Sequence, residues 1–406
     1  MSLATSPGEK AGFRFTSINV RTKLALLLMA TGILPALAML AIFSWEQPEL
    51  ERMARTSVFN AATSTIDVID RNLFERYGDV QAFGLNGLAH DSQNWRKPGS
   101  GNPLVGAMDG YMANYGLYRL MLLVDPQGGV LAVNAKGADG KPLPTDRLYQ
   151  QSFTDAPWFA KALKGEFLQG KNGFTGTVVT PPARDATVAK LYGDDGFTIV
   201  FAAPVKNDQG EVIGIWANFA DFRLVEEIVE TLYQSLASRG LHGAEMTVLD
   251  KDGFILVDFD PAKLADKKVK RDFEVIGKLN LAKAGVASAV AAVGGKSGAM
   301  DATHARKKIV QASGYAHGVG AYDYPGLGWS ALVRVPVEEA YDSVHDVRDQ
   351  ILIAIAVIAA LSIAAGFGVG TVAARPLVGM TGAMRRLADK DWSTEVPALD
   401  RGDEIG

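Results

Sequence analysis

LALLLMATGILPALAMLAIFSW (residues 24–45) and ILIAIAVIAALSIAAGFGVGTVAA (residues 351–374) decide the architecture of this 406-residue chain. Neither run carries a charge, over 22 and 24 residues respectively. An α-helix rises ~1.5 Å per residue and a bilayer core is ~30 Å thick, so each run is long enough to span. Between them, residues 46–350 mix charged and apolar positions as a water-soluble module does. The chain therefore reads as a two-pass membrane protein. The first run is too long for a signal-peptide core, and Ser44, Trp45 and Glu46 offer no small-x-small cleavage site. It reads as a retained anchor in which Pro35 is tolerable as a kink.

Basic residues near the spans set the orientation. Lys10, Arg14, Arg21 and Lys23 precede the first span, and Arg375, Arg385, Arg386 and Lys390 follow the second. Only Arg52, Arg55, Arg334 and Arg348 flank the spans on the other side. Both termini (residues 1–23 and 375–406) are therefore expected in the cytoplasm and residues 46–350 outside it. Composition narrows the function. A net charge of −4 without any Lys/Arg-rich block argues against nucleic acid as a partner. The absence of cysteine excludes disulfides, thiolate metal sites and cysteine nucleophiles, and suits an oxidising compartment. His90, His242, His304, His317 and His345 are scattered, with no helical pair that suggests a metal. Gly294-Gly295-Lys296-Ser297 lacks the upstream glycine of a phosphate loop, and no nucleophile elbow is found. The expectation is a non-enzymatic chain with no catalytic residue, metal or cofactor. Spans without an ionisable residue also make a poor permeation path.

From Glu46 to about Leu88 the apolar residues Leu50, Met53, Ile66, Ile69, Leu73, Val80 and Phe83 recur at helical spacing, which predicts one long helix. A shorter helix is expected around Leu104–Tyr115. The period then becomes strand-like over Arg119–Val124, Gly129–Asn134, Gly196–Pro204, Val212–Phe219, Glu245–Leu249 and Phe254–Asp258. Three turns join these runs: Asp125-Pro-Gln-Gly128, Asn207-Asp-Gln-Gly210 and Asp250-Lys-Asp-Gly253. Asp or Asn opens each turn and Gly supplies the positive φ near its close. A helical divider at Leu224–Ser238 separates two small mixed units, at about 116–222 and 241–336. The second closes on a strand through Trp329, Leu332 and Val335. The fold class is therefore α+β, a long N-terminal helix with two tandem units between membrane spans.

After the second span, Leu377, Met380, Met384 and Leu387 fall on a coiled-coil seam. Arg375-Pro376-Leu377, Ala383-Met-Arg-Arg-Leu387-Ala388, Asp391-Trp392, Val396-Pro397 and Asp403-Glu404-Ile405-Gly406 resemble the HAMP domain, a dimeric helical relay of bacterial transmembrane receptors. Lys390 departs from the Gly common in that family. Residues 46–340 resemble a double Cache sensor, whose units are PAS-like. The carrying residues are Asp155-Ala-Pro157-Trp158-Phe159-Ala-Lys-Ala162, Phe201-Ala-Ala-Pro204-Val205 with Gly214-Ile-Trp-Ala-Asn218, and Gly326-Leu-Gly-Trp329 with Pro336 and Glu338-Glu339-Ala340-Tyr341.

Together these resemblances imply a homodimeric receptor in a bacterial inner membrane, of the chemotaxis type. The alternative is the sensor portion of a histidine kinase or diguanylate cyclase. A cytoplasmic signalling kinase would be reached only through an output module beyond Gly406, so the chain reads as truncated or as a fragment. The resemblance also implies a ligand pocket in the membrane-distal unit. Mapped onto this chain, its candidates are Tyr149, Phe153, Asp155, Trp158, Phe159, Tyr192, Asp195, Asn218 and Asp221. The amino-acid-binding subset of the family places an Arg two residues before the Trp, where this chain has Ala156. That disfavours an α-amino acid. Asp155, Asp194, Asp195 and Asp221 tilt the expectation toward a cationic or polyhydroxyl ligand.

Overall fold

The computed structural model describes residues 20–397 and 402. Lys10, Arg14 and the Asp403-Glu404-Ile405-Gly406 string lie outside the described residues. The helices are α1 (Val20–Gly84), α2 (Gly87–His90), α3 (Pro103–Tyr115), α4 (Pro157–Lys164), α5 (Ala186–Tyr192), α6 (Arg223–Ala237), α7 (Ala287–Val293), α8 (Val337–Ala340) and α9 (Asp342–Ala388). The strands are β1 (Tyr118–Val124), β2 (Val130–Val133), β3 (Val178–Val179), β4 (Ala183–Arg184), β5 (Phe197–Lys206) and β6 (Val212–Asp221) in the first half. In the second half they are β7 (Glu245–Leu249), β8 (Ile255–Phe259), β9 (Gly298–Thr303), β10 (Val310–His317) and β11 (Ser330–Pro336). The chain divides into two compact units, Met53–Ala340 and the terminal segments Met1–Arg52 with Tyr341–Gly406.

Within Met53–Ala340 lie two antiparallel sheets, ordered β2-β1-β6-β5-β3 with β4 beside β5, and β8-β7-β11-β10-β9. Side chains alternate across a strand, so each sheet has two distinct faces. In the first sheet Phe197, Ile199, Phe201, Ala203, Trp216 and Ala220 pack in one core with Leu73, Tyr77, Val80 and Phe83 of α1. Their neighbours Val200, Ala202, Ile215, Ala217 and Phe219 form a separate core with Trp158 and Phe159 of α4. In the second sheet Met246, Val248, Val333 and Val335 join the α1 core together with Val225, Val229 and Tyr233 of α6. Its opposite face, with Leu249, Ile255, Tyr315 and Leu332, is covered by Ala289 and Ala292 of α7. The buried stripe of α1, from Val58 to Phe83, follows the 3.6-residue period and backs both sheets. At β10 the approach is so close that a Cβ on Gly314 would overlap the Val58 carbonyl.

The three hairpin turns share one construction. Asp125 Oδ1 accepts from the N–H of Gln127 and Gly129 (2.9 and 2.8 Å), Asn207 Oδ1 from Gln209 and Glu211 (3.1 and 2.8 Å), and Asp250 Oδ1 from Asp252 and Phe254 (2.9 and 2.8 Å). Gly128, Gly210 and Gly253 close them at φ of +82°, +83° and +91°. The predicted helix over residues 46–88 ends earlier, at Gly84, because the chain turns through Leu85 and Asn86, whose side chain caps α2. Sequence reading had no counterpart for β9, β10, α5 or α7. Gly298–Thr303 and Val310–His317 are dominated by Gly, Ala, Ser and Thr, which leave a weak period-two signal.

In the unit formed by the terminal segments, α9 is continuous for 47 residues and contains Pro376. Its Ile353, Leu361 and Phe367 are exposed, as are Leu27, Leu34 and Ile42 of α1. Leu26–Gly84 and Asp342–Val369 are each long and apolar enough to cross a membrane. Beyond α9, Lys390 takes a left-handed φ of +69°, the conformation for which glycine is best suited.

Candidate ligand site

The segment entering α4, α4 itself, the β3–β4 region, the start of α5 and β5 together enclose a cavity of about 550 Å³ on the α4 face of the first sheet. That volume lies within the range of small-molecule pockets. From the segment leading into α4 come Ser152 and Phe153, and from α4 itself Trp158 and Lys161. The β3–β4 region contributes Thr180, Pro181, Ala183 and Arg184, and the start of α5 contributes Asp185 and Thr187. The floor is β5, through Thr198 and Val200. Trp158 is held by edge contacts with Phe159 and Phe219 (centroids 6.0 and 6.1 Å) and a tilted contact with Phe153 (5.9 Å). The aromatic wall is thus fixed from behind by the sheet.

The polar lining divides into satisfied and unsatisfied groups. Asp185 caps α5, its Oδ1 accepting from Thr187 and Val188 N–H at 2.9 and 2.8 Å. Thr198 is 2 % exposed, and its Oγ1 has no hydrogen-bond partner among the described residues. The Arg184 guanidinium lies 5.0 Å from the Phe273 ring, and neither it nor Lys161 has a carboxylate partner among the described residues. Ala156, the N-cap of α4, offers no side-chain acceptor, and Pro157 occupies the first helical position.

Of the sequence-predicted site residues, Phe153 and Trp158 line this cavity. Phe159 is buried behind Trp158, and Tyr149 packs at the edge of the same core, its hydroxyl donating to the Lys97 carbonyl at 3.4 Å. Asp155 is exposed and outside the lining. Asn218 lies away from this cavity: it pairs in register with Phe201 on the α1 face and accepts from Trp216 Nε1 at 2.8 Å. Tyr192 donates to the Arg119 carbonyl at 2.8 Å, and the Arg119 guanidinium sits 4.0 Å from its ring centroid.

The remaining acids belong to an ion network. Arg119 reaches Asp194 (2.6 Å) and Asp221 (3.5 Å), while Arg271 reaches Asp195 (2.8 Å), Asp221 (3.1 Å) and Glu226 (2.7 Å). Burial alone would raise the Asp194 carboxyl, but the Arg119 hydrogen bond and charge hold it below the usual carboxylate range. These acids are neutralised, so they do not make the 550 Å³ cavity acidic. Sequence reading missed Lys161, Arg184 and Thr198. Nothing local in the sequence separates the first two from solvated surface residues, and only the β5 register, which sets Thr198 beside Ala183, turns it to the α4 face.

A second cavity, of about 610 Å³, is lined by Asn72, Arg76, Tyr115, Asp221, Arg223 and Glu227 among others. Its charges are already matched: Arg76 with Asp79 (2.9 Å), Arg223 with Glu227 (3.3 Å), and Asp221 with Arg119 and Arg271. It also lacks the aromatic wall built around Trp158, so the α4 cavity is the better candidate for a small ligand.

No protein-family model matches the chain, and no curated protein matches it. Among solved structures, it is similar to the periplasmic sensory domain of the Campylobacter jejuni chemoreceptor Tlp1, at 15% identity over 71% of this chain and 95% of that one, with a TM-score of 0.43. It is likewise similar to the sensory domain of C. jejuni Tlp3, at 11% identity over 73% and 99%, with a TM-score of 0.48. A third is the ligand-binding domain of the Pseudomonas aeruginosa amino acid chemoreceptor PctB in complex with L-Arg, at 15% identity over 71% and 97%, with a TM-score of 0.45. Extracellular domains of proteins named as histidine kinases are also among the similar structures.

Proposed function

We propose that this chain is a transmembrane signal-transduction receptor: it binds a small extracellular ligand in the α4 cavity and passes a helix displacement inward through a HAMP-type segment, for chemotaxis. The observation that carries the reading is the α4 cavity itself, which joins a fixed aromatic wall to a buried, unpartnered hydroxyl on Thr198. Exposed apolar side chains along residues 351–374 support a lipid environment, since contiguous exposed apolar surface of this extent is rare in water. The Arg375-Pro376-Leu377 junction, the Leu377–Leu387 seam and the left-handed Lys390 support the HAMP-type relay. A kinase or cyclase sensor would share all of these residues, so the output depends on the cytoplasmic module that the relay drives.

The lack of native cysteine makes topology directly measurable. In intact cells, Gln209→Cys in the β5–β6 turn should react with a membrane-impermeant maleimide, and Met384→Cys should react only after lysis. The reverse pattern sinks the receptor reading. Spin labels at Met384→Cys in the full chain should then report a change in mobility when a ligand is added.

A further inference from the structure

We propose that the α4 cavity is built for an organic anion: a carboxylate with an apolar body and no α-ammonium group. The proposal rests on the receptor reading and names the ligand class of the same site.

Four features converge. First, the lining includes the uncapped start of α4. The Phe159 and Ala160 N–H groups turn to the Ala156 carbonyl (3.0 and 3.3 Å), and Pro157 has none to offer. The Trp158 N–H is left without a capping side chain, at the end of the helix where the dipole favours negative charge. Second, Thr198 Oγ1 is buried on the cavity floor without a partner among the described residues. A buried hydroxyl left unpaired costs about 1–3 kcal/mol, and a ligand oxygen would remove that cost. Third, Lys161, one turn into α4, and Arg184, at the end of β4, both line the cavity, neither held by a carboxylate among the described residues. Fourth, the one acidic side chain in the lining, Asp185, has its Oδ1 engaged by two backbone N–H groups as the α5 cap and is outnumbered by Lys161 and Arg184.

An ammonium group would meet one carboxylate in the lining, Asp185, against the two cations Lys161 and Arg184, so the balance of charge disfavours it. The acids that could have served it, Asp194, Asp195 and Asp221, are bound by Arg119 and Arg271. Phe153, Trp158 and Val200 supply the apolar surface for the rest of the ligand. The carboxylate therefore docks between the Trp158 N–H, Lys161 and Thr198, with its apolar body against the indole.

The test is isothermal titration of the full chain in nanodiscs with two matched series. One is phenylacetate, phenylacetamide, 2-phenylethylamine and L-phenylglycine; the other is butyrate, butyramide, butylamine and L-2-aminobutyrate. The acid of at least one series should bind at least tenfold more tightly than its amide, amine and α-amino relatives. Lys161→Met should weaken the acid about tenfold, the scale of one charge-assisted hydrogen bond. Thr198→Val should weaken it several-fold without loss of folding, and Lys164→Met, on the same helix but off the lining, should leave it unchanged. If an amine or α-amino acid binds more tightly than its acid, the anion proposal is overturned and the receptor reading stands. If no member of either series binds, both fall.

Discussion

Two buried carboxyls in Met53–Ala340 pull stability in opposite directions with pH. Asp70 on α1 is 2 % exposed and accepts from the Gly320 N–H at 2.8 Å, while its second oxygen has no partner among the described residues. Burial lifts it to about 6, against the Gly320 hydrogen bond, with Asp67 adding repulsion. A carboxyl whose folded pKa is raised favours the folded state when protonated. Its contribution is complete below about pH 4 and is lost as pH rises through 6. Glu245 is the converse. Burial would raise it, but the His304 hydrogen bond, the Arg334 charge and the Lys307 hydrogen bond hold it at about 2. Its contribution is present above its ordinary pKa of 4.5 and is lost as pH falls toward 2. Denaturant unfolding should therefore show Asp70→Asn to be more stable than the parent at pH 7, by of order 2 kcal/mol, with the difference vanishing near pH 4. A pH-independent difference would mean that Asp70 is not the titrating group. At this same scale the site was only half legible. Phe153 and Trp158 announce themselves as aromatics beside a helix start, but the sign of the cavity's charge does not. The cations that neutralise Asp195 and Asp221 include Arg271, 76 and 50 residues away in the chain.

At the scale of elements, that same Arg271 joins the segment between β8 and α7 to the end of β6 and the start of α6. Glu226, on the first turn of α6, is 2 % exposed and receives a two-pronged contact from Arg271, Nε to Oε1 at 2.7 Å and Nη2 to Oε2 at 3.0 Å. Burial raises the Glu226 carboxyl, and the arginine opposes this. Removing one partner of a buried pair leaves the other charge desolvated, at a cost of about 3–5 kcal/mol. Arg271→Met should accordingly lower the free energy of urea unfolding by that amount, and adding Glu226→Gln should restore a substantial part. A loss below about 1 kcal/mol would place the network with weak surface pairs. Elements were legible where local chemistry is strong. The three Asx-opened, glycine-closed hairpins and the apolar stripe of α1 can be read from spacing alone. β9 and β10 cannot, because Gly298, Ala299, Ser313, Gly314 and Ala316 carry little hydrophobic contrast. Those strands are placed by pairing, β10 between β11 and β9, which no local pattern encodes.

At the scale of the whole molecule, the receptor reading proposed above requires that the second apolar run cross the membrane, since a displacement can pass inward only along an element that spans it. Residues 351–374 contain eleven Ile, Leu, Val and Phe residues, each favouring insertion by roughly 0.3–0.6 kcal/mol. Their combined effect, about 3–6 kcal/mol, is what would hold such a helix across a bilayer. An arginine near the centre of a span costs about 2.5–3.5 kcal/mol. One is therefore survivable, whereas two cancel the whole gain. Ile358→Arg alone should leave Met384→Cys protected from impermeant maleimide in intact cells. Ile358→Arg with Leu361→Arg should expose it, because α9 then fails to cross and its last turns remain on the outer side. Ligand binding in the α4 cavity should survive the double substitution, while the ligand-induced change at residue 384 should disappear. Persistence of that change without a spanning α9 would show that the displacement travels by another route, and the relay through residues 375–388 would have to be abandoned.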